Sequence, residues 1–341
     1  MPDSAPPEAP APSTALALHT GDRLALTRAW TSLTDDEMRR RAVRATGDRD
    51  APTLTELTLA YISSRGQAGA LTSPHTLAAY RRGVTHFLTW TDTQAVSLLR
   101  PGRHTGQNYI DACLSGEGRA PATVAQRVAA ARALYRALAW AGATDAQPFQ
   151  DTRVAKDPTP GIEKRPPYTA DEIYGVLDMA DPLAKVLLLL TAHAGLRISE
   201  VLALTWGDLD EATSRIRVHG KGRKQRTVVM SGTLARALRP YRAEHGPDAP
   251  QSGQRTTRAD HVFSFADPET ASYHLKKAFK AAGVPFRGFH AGRKYSGTKL
   301  YGQVKDFGRV AAHLGHESVD TTRRGYAQVA TDDLKDVIGN W

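Results

Sequence analysis

Ala194-Gly195-Leu196-Arg197-Ile198-Ser199-Glu200-Val201-Leu202-Ala203-Leu204 joins two apolar runs across a glycine and sets an arginine in the turn between them. Flanked by Leu196 and Ile198, that guanidinium is half-buried, so it needs an acidic partner or an anionic ligand to offset lost hydration. Glu200, three positions on, offers the first: an Arg197–Glu200 ion pair that stabilises the turn. A bound phosphate is the second, and it needs support from elsewhere in the chain. Upstream, Leu183 to Ala194 reads as a buried helix, because its apolar core from Val186 on is half the length of a membrane span and ends in charge. Downstream, Ile198 to Trp206 predicts a further helical run.

The period then changes. Arg215-Ile216-Arg217-Val218-His219 alternates, Gly220 and Gly222 punctuate, and Thr227-Val228-Val229-Met230 resumes with β-formers, which predicts a hairpin. Arg215, Arg217, Lys221, Arg223, Lys224 and Arg226 fall within twelve residues with no acid between them. Such a cluster repels itself, and a nucleic-acid backbone supplies the missing counter-charge. Val262-Phe263 predicts a short extra strand. The remainder reads as helices at Ile173–Leu177, Thr270–Ala282, Phe289–Tyr301, Val304–Leu314 and Ser318–Gln328.

Two further fragments carry chemistry. His290-Ala291-Gly292-Arg293 places an imidazole and a guanidinium on one helical face. His313-Leu314-Gly315-His316 reads as a helix closed by a glycine cap, with a new helix starting at Ser318 or Asp320 and carrying Tyr326. His313 and His316 have no cysteines or acidic cluster to complete a metal set, so no metal is expected.

The rest of the chain divides by composition. Residues 1–13 hold five of the twenty prolines and predict a disordered tail. Residues 14–50 are an extra, charged helical segment. Residues 51–150 predict a domain of four helices, one started by Ser73-Pro74. In the last of them Val124, Val128, Ala131, Tyr135 and Leu138 line one face, and Arg127, Arg132 and Arg136 lie on the other side. Those arginines are a solvated face, or a phosphate track if the partner is DNA. Residues 151–167 are a linker, and the Thr169-Ala170-Asp171-Glu172 capping box opens a second domain over 168–341.

Composition agrees with such a partner. At 341 residues the chain has room for about two domains. Its 45 Lys+Arg against 35 Asp+Glu leave a charge of +10 and a pI near 9.7, which favours a polyanion. A single cysteine, Cys113, excludes a disulfide framework and a Cys-rich zinc site. The opening MPDSAPPEAPAPS lacks a secretory pattern, so a soluble protein of the reducing cytoplasm is expected, with no membrane partner.

Together, AGLRISEVLALTW, GKGRKQR, HAGR and LGHESVDTT, in the order Arg…Lys…His-x-x-Arg…Leu-Gly-His…Tyr, resemble the tyrosine site-specific recombinases of the phage integrase and Xer type. TLAAYRRGVTHFLTW and ATVAQRVAAARALYRALAW resemble that family's SAM-like core-binding domain, so the likeness covers roughly residues 53–330. It implies a mainly α fold with a small antiparallel β-sheet: a two-domain DNA clamp, with Arg127, Arg132 and Arg136 on one jaw and the 215–226 hairpin on the other. It implies strand breakage and rejoining through a 3′-phosphotyrosyl intermediate, with no cofactor. Arg197 and Arg293 match the paired arginines, Tyr326 the nucleophile and Lys221 the general acid. His290 matches the acid/base partner of the tyrosine, His316 a donor to the phosphorane, and Glu200 a carboxylate steadying Arg197. The implied partners are double-stranded DNA at the nucleoid and further protomers, either a homotetramer on two sites or a related recombinase. The tail after Tyr326 (Val329, Leu334, Val337, Ile338, Trp341) is expected to dock on a neighbouring protomer or on its own domain. Two other readings stay open. One is an architectural DNA-binding protein that lost the reaction, since His316 and Tyr326 are ten residues apart where the family counts nine. The other is a relaxing enzyme like the type IB topoisomerases.

Overall fold

The computed structural model describes residues 20–157, 159, 161–220, 224–248, 258–316, 318–320 and 322–323. The chain divides into two compact units, Met1–Pro158 and Thr159–Trp341. The predicted class holds: helices dominate, with one small antiparallel sheet.

The first unit contains α1 (Thr20–Thr31), α2 (Asp35–Gly47), α3 (Ala51–Arg65), α4 (Pro74–Thr93), α5 (Thr105–Asp111) and α6 (Pro121–Trp140). Local chemistry starts these helices. The Thr34 hydroxyl accepts from the Glu37 N–H while the Glu37 carboxylate accepts from the Thr34 N–H at 2.9 Å, a capping box. Ser73 accepts from the Thr76 N–H at 3.2 Å with Pro74 at the first helical position. The segment before residue 50 belongs to this unit. Trp30, Met38, Ala42 and Ala45 are buried in the same core as Leu54 and Leu57 of α3, and Arg41 lies over the Trp30 ring at 4.2 Å. Around Phe87 of α4, Tyr109, Phe149 and Tyr135 pack edge-on at centroid distances of 4.9, 5.5 and 6.1 Å, the geometry their quadrupoles favour. After α5 the chain continues in a π-helical turn over Ala112–Gly116.

The second unit contains α7 (Gly161–Lys164), α8 (Ala170–Met179), α9 (Pro182–Ala192), α10 (Ile198–Ala203), β1 (Leu209–Asp210), β2 (Arg215–His219), β3 (Gln225–Val229), α11 (Gly232–His245), α12 (Pro268–Ala281), α13 (Phe289–Val304) and α14 (Phe307–Leu314). Val186 to Ala192 of α9 is buried on every side, so α9 is the hub against which α8, α11, α12 and α13 pack. The sheet order is β1-β2-β3, with Ile216 opposite Val228 and Val218 opposite Arg226 on the inner face. Arg215, Arg217 and Thr227 stand on the exposed face.

Three predicted elements differ. The helix after Arg197 ends at Ala203, because Asp208 accepts from the Thr205 N–H at 3.0 Å and starts a separate 3-10 turn at Trp206. Val262 and Phe263 are buried but form no strand; only His261 bridges to Thr205. The run predicted from Val304 is broken by Lys305, left-handed at φ 51°, and α14 begins only after the Asp306 cap.

Candidate active site

Gly195 turns the chain out of α9 with φ 68°, and a Cβ there would meet Leu314 at 2.7 Å, so only glycine fits both the backbone and the space. The turn delivers Arg197 as the cap of α10 and Glu200 to its first turn, where the carboxylate accepts from the Arg197 N–H at 2.8 Å and from its Nη1 at 2.9 Å. Arg226 reaches the same carboxylate from β3, Nη1 and Nη2 donating to the two oxygens at 2.8 and 2.9 Å. Arg293, from α13, brings its Nη1 within 3.8 Å of Glu200. One carboxylate, only 6% exposed, is thus surrounded by three guanidiniums. Burial works to raise the Glu200 pKa, but the Arg226 fork and then the Arg197 contacts outweigh it, and the group titrates at about 2.

The end of α14 completes the assembly. Carbonyls in a helix's last turn have no partner within the helix and carry its negative pole. Here three successive ones accept from three arginines: His313 O from Arg226 Nε at 3.2 Å, Leu314 O from Arg293 Nη2 at 2.5 Å, and Gly315 O from Arg197 Nη2 at 3.3 Å. Arg293 also donates to Gly195 O at 2.5 Å and is 3% exposed. Gly315 closes α14 in the left-handed region at φ 66°, and a Cβ on it would lie 2.8 Å from Arg226 Nη1. This is the physical content of the Leu-Gly-His string: Leu314 is buried, Gly315 turns, and His316 follows with its Nδ1 2.7 Å from the Thr322 hydroxyl. Burial first, then Arg293 and Arg197, push the His316 pKa down to about 4. His290 is lowered too, by burial and then by Lys294, Arg293, Arg165 and Arg197. Its helix is anchored by Arg287, whose N–H donates to the Tyr168 hydroxyl at 2.7 Å and whose Nη1 donates to Glu172 at 2.8 Å.

Arg197, Glu200, Arg293, His290 and His316 therefore share one neighbourhood. With a side chain 45% exposed and two of its five N–H donors engaged among the described residues, Arg197 is the member open to an anion. Lys221, Arg223 and Tyr326 lie outside the described residues, as do the 1–13 tail and the apolar tail after Tyr326. Tyr295 and Tyr301 are buried in α13.

Several expected DNA contacts face elsewhere. Arg226 shares the inner face of β3 with Val228, and its guanidinium is engaged by Glu200 and the His313 carbonyl. Arg127 donates to Glu117 at 2.8 Å and to the Cys113 sulfur at 3.6 Å. His86, Cys113 and Glu117 bring potential ligand atoms within 4.8 Å of one another, but this guanidinium already supplies the positive charge there. Arg132 donates to the carbonyls of Phe149 at 3.0 Å and Thr152 at 2.7 Å, pinning the segment after α6. Arg136, Arg215, Arg217 and Lys224 are exposed. One cationic face escaped the sequence reading. On α12, Tyr273, Lys276, Lys277 and Lys280 are all exposed, and their i, i+3, i+4, i+7 spacing was the available signal.

Comparison with known proteins agrees with both units. The family model described as "Phage integrase family" matches residues 168–332, and that described as "Phage integrase, N-terminal SAM-like domain" matches residues 67–142. Tyrosine recombinase XerC of Myxococcus xanthus is 29% identical over 280 residues, covering 78% of this chain and 90% of that protein. Tyrosine recombinase XerD of Mycobacterium tuberculosis is 27% identical over 283 residues, covering 77% and 90%. The fold is similar to that of XerH site-specific recombinase bound to a palindromic difH substrate, with a TM-score of 0.62 and 17% identity over 97% of this chain and 99% of that one. It is similar also to a lambda integrase(75–356) dimer bound to a COC' core site, with a TM-score of 0.59 and 18% identity over 83% and 94%. With a SAM-like match in the first unit and an integrase match in the second, the chain belongs to the phage integrase family of tyrosine recombinases.

Proposed function

We propose that this chain is a site-specific DNA recombinase that cuts and rejoins strands by transesterification, with Tyr326 as nucleophile. The observation that carries the reading is the excess of charge around Glu200, three guanidiniums against one carboxylate, with Arg197 half-exposed at its edge. A phosphate is the ligand such a surplus fits. In the reaction the Tyr326 oxygen bonds to phosphorus and the bond to the 5′-oxygen breaks. His290 takes the phenolic proton, and Lys221 gives one to the departing oxygen. Arg197 and Arg293 oppose charge on the non-bridging oxygens, His316 adds a neutral donor, and Glu200 holds Arg197. Energy of the broken ester is kept in the phosphotyrosine, so the chemistry calls for neither ATP nor a metal.

The partner is double-stranded DNA, held by Arg215, Arg217, Arg223 and Lys224 of the hairpin region, by Arg136 and by the lysine face of α12. The core-binding domain spans 51–150 and the catalytic domain 168–341, joined by the 151–167 linker. Lambda integrase has been captured as a tetramer bound to a Holliday junction, and by likeness this protein works as a tetramer on two sites, alone or with a related recombinase. Its place is the nucleoid; among the described residues no helix is long and apolar enough to cross a membrane.

A duplex nicked near the cleavage site tests the chemistry: the wild type traps a covalent adduct and Tyr326→Phe traps none. Adduct formation by Tyr326→Phe would overturn the assignment. Recombination between two plasmid sites, as against relaxation alone, separates a recombinase from a topoisomerase.

A further inference from the structure

We propose that Arg226 is a positioning residue of the phosphate site, acting through Glu200 and the end of α14 on Arg197; this rests on the phosphate-binding reading of Arg197. Arg226 ties three distant segments at this point. From β3 it forks onto both oxygens of Glu200, 26 positions away, and bonds the carbonyl of His313, 87 positions away, with a side chain 15% exposed. The fork fixes the plane of the carboxylate, because two parallel N–H···O bonds leave it no rotation. In that plane, Oε1 meets Arg197 Nη1 and Oε2 meets the Arg197 N–H. Without the fork, Glu200 is free to turn towards Arg293, whose Nη1 stands 3.8 Å from Oε2, and Arg197 loses the partner that aims it. A lysine keeps the charge but cannot span two oxygens and a carbonyl. Arg226 thus has the charge of a DNA-binding residue and the placement of a scaffold.

The two roles separate experimentally in the full-length protein. Arg226→Lys, the charge-removing Arg226→Gln and, as reference, Arg197→Ala are assayed for DNA affinity against salt. Single-turnover adduct formation is then measured on a nicked duplex bearing either the natural scissile phosphate or a methylphosphonate there. The methylphosphonate lacks the charge that the arginines oppose. Arg226→Gln is expected to bind with an unchanged salt slope, and Arg226→Lys to cleave the natural phosphate about 10²-fold more slowly, the scale of a misplaced catalytic group. On the methylphosphonate its deficit shrinks, as that of Arg197→Ala does. A salt slope lower by about one in Arg226→Gln, the variant that removes the charge, would mark a direct phosphate contact and overturn the proposal. So would a wild-type rate for Arg226→Lys, or an equal deficit on both substrates with a lowered melting temperature, which is the signature of lost packing alone. A wild-type rate for Arg197→Ala would overturn the underlying reading and the proposal with it, whereas a slow Arg197→Ala beside a fast Arg226→Lys overturns the proposal only.

Discussion

Replacing Glu200 by glutamine removes one charge from the centre of the site and little volume. The Glu200 carboxyl titrates at about 2 where an unperturbed glutamate titrates near 4.5. At about 1.4 kcal/mol per pH unit, that gap is worth about 3 kcal/mol of folding stability. The value sits at the lower edge of the 3–5 kcal/mol expected when one partner of a buried ion pair is removed. Glu200→Gln also turns an amide N–H towards guanidinium donors. Urea unfolding of the full chain at pH 7, with hydrogen exchange followed in peptides covering α10 and α14, should show a loss of about 3 kcal/mol in the second unit. The pH dependence is set by the sign of the shift. A carboxylate whose folded pKa is depressed stabilises fully above its unfolded value near 4.5, and the contribution drains away as pH falls towards about 2. The gap between wild type and variant should therefore narrow below pH 4.5 and hold constant above it. A variant within about 0.5 kcal/mol of wild type at pH 7, or a gap that ignores pH below 4.5, would refute the view of Glu200 as the ionised centre of the cluster.

Other outcomes follow from the same geometry. Gly195→Ala forces a side chain into φ 68° and against Leu314 at 2.7 Å; calorimetry should register a loss of about 3 kcal/mol. Arg127→Ala should cost about 1 kcal/mol of stability in the first unit, because Cys113 loses a donor and Glu117 keeps only Arg119 and His86, and leave the salt slope of DNA binding unchanged. Arg136→Ala should do the reverse, keeping stability and lowering the slope by about one. His316, at about 4 against the usual 6.5, should stay neutral at pH 7 by nitrogen NMR. Because its folded pKa is the lower one, it should cost stability as pH falls from 6.5 towards 4, and His316→Asn should lose that sensitivity; a midpoint near 6.5 would contradict the burial argument.

What the sequence revealed was local. Ser73-Pro74 and the Thr169–Glu172 box marked true helix starts, since a cap and its partner sit three residues apart. Alternation in 215–219 marked β2 for the same reason. The same alternation, counted onward, puts Arg226 in step with Val228 and so on the inner face; treating the hairpin as a sum of charges obscured a parity that was there to read. Arg127 and Arg132 were not legible at all. Their partners lie 10, 17 and 20 positions away in Glu117, Phe149 and Thr152, and two of those partners are bare carbonyls that no residue type announces. Arg197 and Glu200, three apart, declared themselves. Arg293 and the carbonyls of Gly195 and Leu314, up to 98 positions distant, needed the fold.

Three arginines drawn from α10, β3 and α13 hang on consecutive rungs at one helix end. If that last turn unwinds, each of the three loses one anchor in the same event, and what still holds them is Glu200 for Arg197 and Arg226 and the Gly195 carbonyl for Arg293. The setting of three separate segments is thereby tied to one turn of helix. For a recombinase, such shared moorings mean that disorder at one spot reaches every arginine of the centre at once.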